Sequence, residues 1–350
     1  MNKKQIFTLL VVTAILAVLF YFQFREYKHF PWRKLFDDTA AVFSERSRLV
    51  KVVAALVIVY AVYFLRALRW KILLSGLKQV STSSLVPAQF VGFTGLALLG
   101  RPGELVRPYL IAKKHDVSLA SQLAIWSVER VFDMGAFAVI FTISLLKLAP
   151  ELHHLAGEQI AGVQHKSYSL IGVIVIAIVG IVLLQRFRSN FAAMVERRFS
   201  QEGTLYRIGK KMVAFAEGLG TIRDAKEFLQ VSLISIFIWV GIGIAYLEVL
   251  HAYADPILSN VSLRAIPLVM AGSMLGSIFA VPGVGGGPQL GTLAVMNQAL
   301  GVDISAATSC SLVLWLATFA SVIPVGLFLA HRERLSLRKL ETEAEAQVEA

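Results

Sequence analysis

Val52-Val53-Ala54-Ala55-Leu56-Val57-Ile58-Val59-Tyr60-Ala61-Val62-Tyr63-Phe64-Leu65 carries no charge, and it ends in Arg66-Ala67-Leu68-Arg69-Trp70-Lys71. Counted from about residue 49, the apolar stretch is ~25 Å long as a helix, most of a hydrocarbon core. Its basic and aromatic end suits a membrane–water interface. Comparable runs lie at residues 5–24, 169–185, 227–250 and 305–330. The whole chain agrees with this reading. Its 350 residues are 56% hydrophobic and only 16% charged, against roughly 45–50% and about 25% in soluble domains, and the mean hydropathy is +0.67. The sequence therefore predicts an all-α polytopic membrane protein with no room for a large soluble domain. The single cysteine, Cys310, excludes a disulfide scaffold or a cysteine–zinc site. A net charge of +11 would suggest nucleic acid in a soluble protein. Here the basic residues flank spans and meet anionic lipid headgroups, so no nucleic-acid partner is expected.

The first run, 5–24, follows Lys3 and Lys4 and lacks a small-residue cleavage site, so it reads as a retained span rather than a signal peptide. Residues 25–48, with the turn Phe30-Pro31-Trp32, suit a short interfacial helix. Residues 85–100 are apolar but contain Pro87, Gly92, Gly95 and Gly100, which predicts a re-entrant or broken helix. Residues 118–148 form one long helix, and 263–281 and 289–300 flank Val281-Pro282-Gly283-Val284-Gly285-Gly286-Gly287-Pro288, which interrupts any helix. The count is about six full transmembrane helices plus two re-entrant or broken pairs, one in each half. That arrangement raises an inverted repeat, although no residue-level repeat is visible. Transporters of this design place substrate where paired broken helices meet.

The nine Arg/Lys of loop 186–226 and the basic start of the tail 331–350 predict cytoplasmic positions, with both termini inside. Residues 150–168, with one lysine, face outward. The membrane domain is thus 1–330, in a cytoplasmic (inner) membrane, followed by a charged tail. The basic first loop lands outside in this count and conflicts with it.

Charged residues cluster in three places. In Gly100-Arg101-Pro102-Gly103-Glu104-Leu105-Val106-Arg107-Pro108-Tyr109, Pro102 and Glu104 suit a helix start, and Arg107 is within reach of Glu104 for an ion pair. The helix start with Arg101 and Arg107 could hold a phosphate, or its arginines could touch lipid passively. In Trp126-Ser127-Val128-Glu129-Arg130-Val131-Phe132-Asp133, residues 126, 129, 130 and 133 fall within about 100° of arc. A charge at bilayer depth costs at least ~2.5–3.5 kcal/mol, so this stripe must face a polar cavity or another charged cluster. It could bind substrate or merely fix helix packing. Arg66 and Arg69 read more simply as snorkelling arginines at a helix end, with headgroup contact as the alternative. If they join the other two clusters, arginines outnumber carboxylates, and the surplus would attract an anion. A fourth candidate, Pro282, Gly283, Gly285, Gly286 and Gln289, offers backbone amides to an anion or close approach to a neighbouring helix.

Enzyme signatures are missing. Gly95 and Gly100 have the spacing of a nucleotide-binding loop but are followed by Arg101-Pro102 instead of Lys-Ser/Thr, and there is no nucleophile elbow or His-Glu-x-x-His. His153-His154 has no evident metal partner. No metal, no cofactor and no enzymatic activity are expected.

In order and spacing, Arg66-Ala-Leu-Arg-Trp-Lys-Ile-Leu-Leu74, Gly100-Arg-Pro-Gly-Glu-Leu-Val-Arg-Pro-Tyr109 and Val128-Glu-Arg-Val-Phe-Asp133 resemble the transmembrane domain of lysylphosphatidylglycerol synthases, over roughly residues 5–330. The resemblance implies a flippase-like membrane fold with re-entrant helices that moves a lipid between leaflets. It implicates Arg101, Glu104, Arg107, Glu129, Arg130 and Asp133 in substrate binding. The synthases carry a soluble domain after this one; none follows the last span here, so aminoacyl transfer is not expected. The family's second-half motif ends in a glutamate where this chain has Gln289, which argues against coupling to a cation through that residue.

These readings lead to a lipid translocase for a phospholipid or polyprenyl-linked lipid with an anionic or zwitterionic headgroup. The alternatives are a non-transporting scaffold for a partner glycosyltransferase or lipid-modifying enzyme, and an intramembrane enzyme using Glu129 and Asp133 as acid and base.

Overall fold

The computed structural model describes residues 31–148, 224–279 and 286–332. Span 5–24, loop 150–168 with His153-His154, span 169–185, most of the basic loop 186–226, Pro282, Gly283, Gly285 and the end of the tail lie outside the described residues. Every regular element among the described residues is helical: α1 Trp32–Ser44, α2 Arg46–Leu74, α3 Thr82–Leu99, α4 Val106–His115, α5 Leu119–Leu148, α6 Ala225–His251, α7 Ile266–Gly276, α8 Gly287–Ala294, α9 Ile304–Trp315 and α10 Val322–Arg332. Among the described residues, four stretches are long and apolar enough to cross a membrane: α2, α3, α6 and the α9–α10 unit Ile304–Arg332.

Over residues 85–100, expected as a re-entrant or broken helix, the structure corrects the broken form. α3 is one continuous helix that starts at Ser81, whose side chain accepts from the Ser84 amide, and Pro87 is absorbed inside it. The interruption falls at its end, where Gly100 takes φ 76°, a conformation that costs glycine nothing. A 3₁₀ turn, Arg101–Leu105, then leads into α4. Gly92 and Gly95 serve packing. They let α4 fold back along α3, Gly92 against Arg107 and Gly95 against Val106 and the Gly103 carbonyl.

The second half has a matching hairpin. Gly276 meets Gly287 and Gly272 meets Gly291, so α7 and α8 lie antiparallel with their backbones in contact. This is the small-residue approach by which helices pack in a medium without water to drive them together. Two helices also contain a widened π turn, Val295–Ala299 after α8 and Leu316–Ala320 between α9 and α10. Near the latter, Tyr60 donates to the Ser321 carbonyl at 2.9 Å and Thr94 to the Val322 carbonyl at 3.3 Å, giving side-chain donors to backbone that a regular helix would satisfy itself.

Two apolar cores result. One gathers parts of α2, α6, α7 and α9 around Tyr246, Ile266 and Cys310. The other joins the end of α2 to α3, α4 and α5 around Trp70, Leu85 and Ile125. The charged cluster sits beside the second.

A β-carbon added at Gly276 would collide with the Gly287 carbonyl oxygen, which is backbone and has nowhere to go. Gly276→Ala is therefore expected to lower stability by about 1–3 kcal/mol, the usual cost of overpacking, read as an earlier thermal unfolding transition in detergent. A pH effect is expected at the start of α9. There the Asp303 carboxylate accepts from Ser305 Oγ at 2.7 Å and pairs with Lys34 at 3.0 Å, and these contacts hold its pKa at about 2 instead of 3.8. A depressed carboxylate stabilises the fold fully above its ordinary pKa, and the contribution is lost as pH falls through about 2. The stability difference between wild type and Asp303→Asn should thus be constant above pH ~4 and shrink in more acidic buffer.

Candidate functional site: a buried arginine–carboxylate cluster

Five helices contribute to the site. On α2, Arg66, Arg69 and Trp70 recur at helical spacing on one face. α3 supplies Gln89, α4 supplies Arg107, α5 supplies Glu129, Arg130 and Asp133, and α6 supplies Ser235 and Trp239. Arg69 lies five residues from the end of α2, while Glu129 and Ser235 each lie ten residues after the start of their helices. At ~1.5 Å per residue the cluster is therefore about 8–15 Å from the helix ends on one side of the bundle.

The snorkelling reading of Arg69 is overturned. Its side chain is fully buried and both of its Nη atoms are spent on protein acceptors. Nη1 donates to Asp133 Oδ1 at 2.7 Å and to Ser235 Oγ at 2.8 Å, and Nη2 donates to Glu129 Oε1 at 2.6 Å and Asp133 Oδ2 at 3.1 Å. The fork of Arg matches two carboxylates in a way that a lysine ammonium would not. Headgroup contact by Arg69 is thereby closed off in this conformation.

Arg107 does not pair with Glu104, as the sequence spacing suggests; it turns inward. Nη2 donates to Glu129 Oε2, and Nη1 to Glu129 Oε1 at 3.2 Å and Gln89 Oε1 at 2.9 Å. Its guanidinium lies over Trp70, 4.4 Å from the ring centre, and 5.2 Å from that of Phe93. Trp70 is in turn fixed by donating to Gln122 at 3.1 Å. Asp133 completes its shell with a 3.2 Å bond from Trp239. The stripe on α5 thus faces the other charged groups rather than a wide aqueous chamber.

Two arginines remain less engaged. Arg66 lies 3.9 Å from Asp133 and over Phe93 at 4.8 Å. Arg130 is 3.9 Å from Glu129 and 5.8 Å from the Trp126 ring, with 38% of its side chain exposed. It lines a narrow cleft with Glu104, Arg107, Trp126 and the α3 residues Gly92, Phe93 and Leu96. The cleft is narrow and opens to the surface, with about 220 Å³ of empty space counting its open mouth. Arg101 is exposed on the 3₁₀ turn, away from the cluster's ion pairs. In the second half Gln289 is buried on α8, and Gly286 takes φ 75° with open space where a β-carbon would stand; neither joins the arginine cluster. Among the described residues no group of His, Cys, Asp and Glu is arranged to hold a metal ion.

Sequence reasoning overlooked Gln89, Gln122, Ser235, Trp239 and Phe93. Gln89 carried a usable signal, a lone amide inside an apolar run. Ser235 and Trp239 carried none, because both residue types are ordinary in membrane helices.

This architecture, a helical membrane bundle organised around buried arginine–carboxylate pairs, coincides with a family match. The chain belongs to the lysylphosphatidylglycerol synthase transmembrane region family, which it matches over residues 5–326. It is also similar to the glycosyltransferase AglD of Haloferax volcanii, 28% identical over 239 residues that cover 61% of this chain and 38% of AglD. The aligned part thus spans well under half of that relative. No solved structure matches the chain.

Removing the arginine at the centre would leave Asp133 without a hydrogen-bonded arginine and Glu129 with Arg107 alone, at a cost of about 3–5 kcal/mol. Arg69→Ala is expected to unfold far more readily than wild type in denaturant. The double variant Arg69→Ala/Glu129→Ala should lose less than the sum of the two single losses, because its members share one network.

Proposed function

We propose that the protein is a lipid translocase whose substrate carries an anionic or zwitterionic headgroup on a phospholipid or polyprenyl chain, acting in the cytoplasmic membrane. The observation that carries this reading is a surplus of positive charge and of donors. Four guanidiniums, Arg66, Arg69, Arg107 and Arg130, surround two carboxylates, Glu129 and Asp133. The buried Nε atoms of Arg69 and Arg130 and Nε2 of Gln89 have no acceptor. Unpaired donors in a low-dielectric interior are costly, and an anion entering the cleft that Arg130 lines would relieve that cost at Arg130. A phosphate oxygen is an acceptor of the right charge, and Arg suits phosphate geometry.

In this reading the structure is the closed state of the carrier. The headgroup would first meet Arg130 and Glu104 at the cleft, then compete with Glu129 for Arg107 as α5 and the α3–α4 hairpin part. The acyl chains would stay in lipid throughout. Glu129 and Asp133 keep the arginines in place while no substrate is bound. Their engagement by arginines argues against general acid–base chemistry, so the proposal is a carrier and not an enzyme.

A second reading has its own support. The similarity to the glycosyltransferase AglD, together with a cluster so tightly closed, favours a scaffold that positions a membrane glycosyltransferase.

Proteoliposomes with headgroup-labelled lipids separate the two. A carrier raises the rate at which label becomes accessible from the opposite leaflet, and Arg130→Ala should lower that rate about tenfold, as expected for loss of a charged hydrogen bond. Equal rates in loaded and empty vesicles, across phosphatidylglycerol, phosphatidylethanolamine and a polyprenyl-phosphate sugar, would rule out transport and leave the scaffold.

A further inference from the structure

We propose that α1 is an interfacial anchor whose Trp32, Phe36 and Phe43 face lies in the headgroup–acyl boundary of the bilayer that α2 crosses. This inference is independent of what the arginine cluster binds. It starts from how the thirteen residues of Trp32–Ser44 are distributed around their helix. At 100° per residue, positions 32, 36 and 43 fall within about 40° of one another. All three are exposed, at 50%, 65% and 46%.

The adjoining sector is committed to protein. Leu35 and Val42 are buried, Thr39 bonds Ser309 at 2.7 Å, and Asp38 accepts from Ser305 at 3.3 Å. Those bonds to α9 fix the rotation of α1, so the aromatic face is held exposed at the flank of the protein contact. The third sector holds Arg33, Lys34 and Asp37, all exposed, with Lys34 tied to Asp303. Around one helix there are thus three faces of different chemistry: aromatic, ionic and protein-bound.

Location supplies the occupant. Glu45 alone separates α1 from Arg46, the first residue of membrane-crossing α2, and the partners of α1 are at the start of α9, the first helix of another membrane-crossing unit. α1 therefore sits where the bilayer surface must be. A helix there meets acyl chains on one side and water on the other, and its two exposed faces match those two media. Aromatic rings are favoured at that depth. Arg33 and Lys34 balance Asp37 and Asp38, so burial of the aromatic face, not attraction to anionic lipid, would hold the helix in place.

The test places single spin labels on the full chain in vesicles, using Phe36→Cys, Phe43→Cys and Asp37→Cys. Cys310 is fully buried and stays in place, with labelled wild type as the background. Relaxation by oxygen, which concentrates in lipid, is compared with relaxation by a water-soluble nickel chelate. Labels at 36 and 43 should favour oxygen and the label at 37 should favour nickel, alike in phosphatidylcholine and in phosphatidylcholine with one-third phosphatidylglycerol. Labels at 36 and 43 that favour nickel would place the face in water. Labels shielded from both reagents would mean that another part of this chain or a second copy covers it. A pattern that appears only with phosphatidylglycerol would mean that charge holds the helix. Each of these three results would overturn the proposal. Should a cysteine variant fail to fold, Phe36→Trp read by brominated-lipid quenching against wild type gives the same discrimination.

Discussion

A guanidinium with no access to water must find every partner inside the protein, and that constraint organises one side of this bundle. Arg69 binds Glu129, Asp133 and Ser235 at once, so α2, α5 and α6 are fixed relative to one another. Arg107 extends the same network to α4, and through Gln89 to α3. Apolar packing alone would allow these helices to slide, because lipid is as apolar as their surfaces. The ionic cluster removes that freedom. It also explains why so much charge is tolerated within apolar helices: each carboxylate is hydrogen-bonded to arginine on two or more sides or to arginine and indole together.

The aromatic residues around the cluster have a separate role. Trp70 and Phe93 present ring faces to Arg107, and Phe93 also to Arg66. A cation held partly by a ring face is stabilised without consuming its hydrogen-bond donors. Such a cation can change anionic partners while its location is preserved, which a purely salt-bridged arginine does less readily.

Much of the fold was legible in the sequence, since hydrophobic length and polar punctuation report directly on membrane helices. α5, α6 and the α9–α10 unit fall close to the expected ranges, α2 runs nine residues past the expected end at Leu65, and the helices flanking residues 280–285 lie antiparallel. The error over 85–100 has a definite cause: glycines that break a helix in water also let helices touch in lipid, and Gly92 and Gly95 do the second. The site was half legible. The stripe Glu129, Arg130, Asp133 announces itself by cost. Arg69 did not, because a helix-end arginine has the same local sequence whether it snorkels or turns inward. Its partners lie some sixty residues further on, and without them Arg107 was assigned to its near neighbour Glu104.

The glycine contacts inside the two hairpins limit how this molecule can deform. Where backbone touches backbone, as at Gly95 with Gly103 and Gly276 with Gly287, no side chain is present to rotate aside, so each pair of arms travels as a single plank. The border between the first plank and α5 is of another kind, made of guanidinium, carboxylate and ring, all of which can swing. The first plank and α5 can therefore part only by exchanging ion pairs along that seam, whereas neither plank can give way within itself without forcing backbone through backbone.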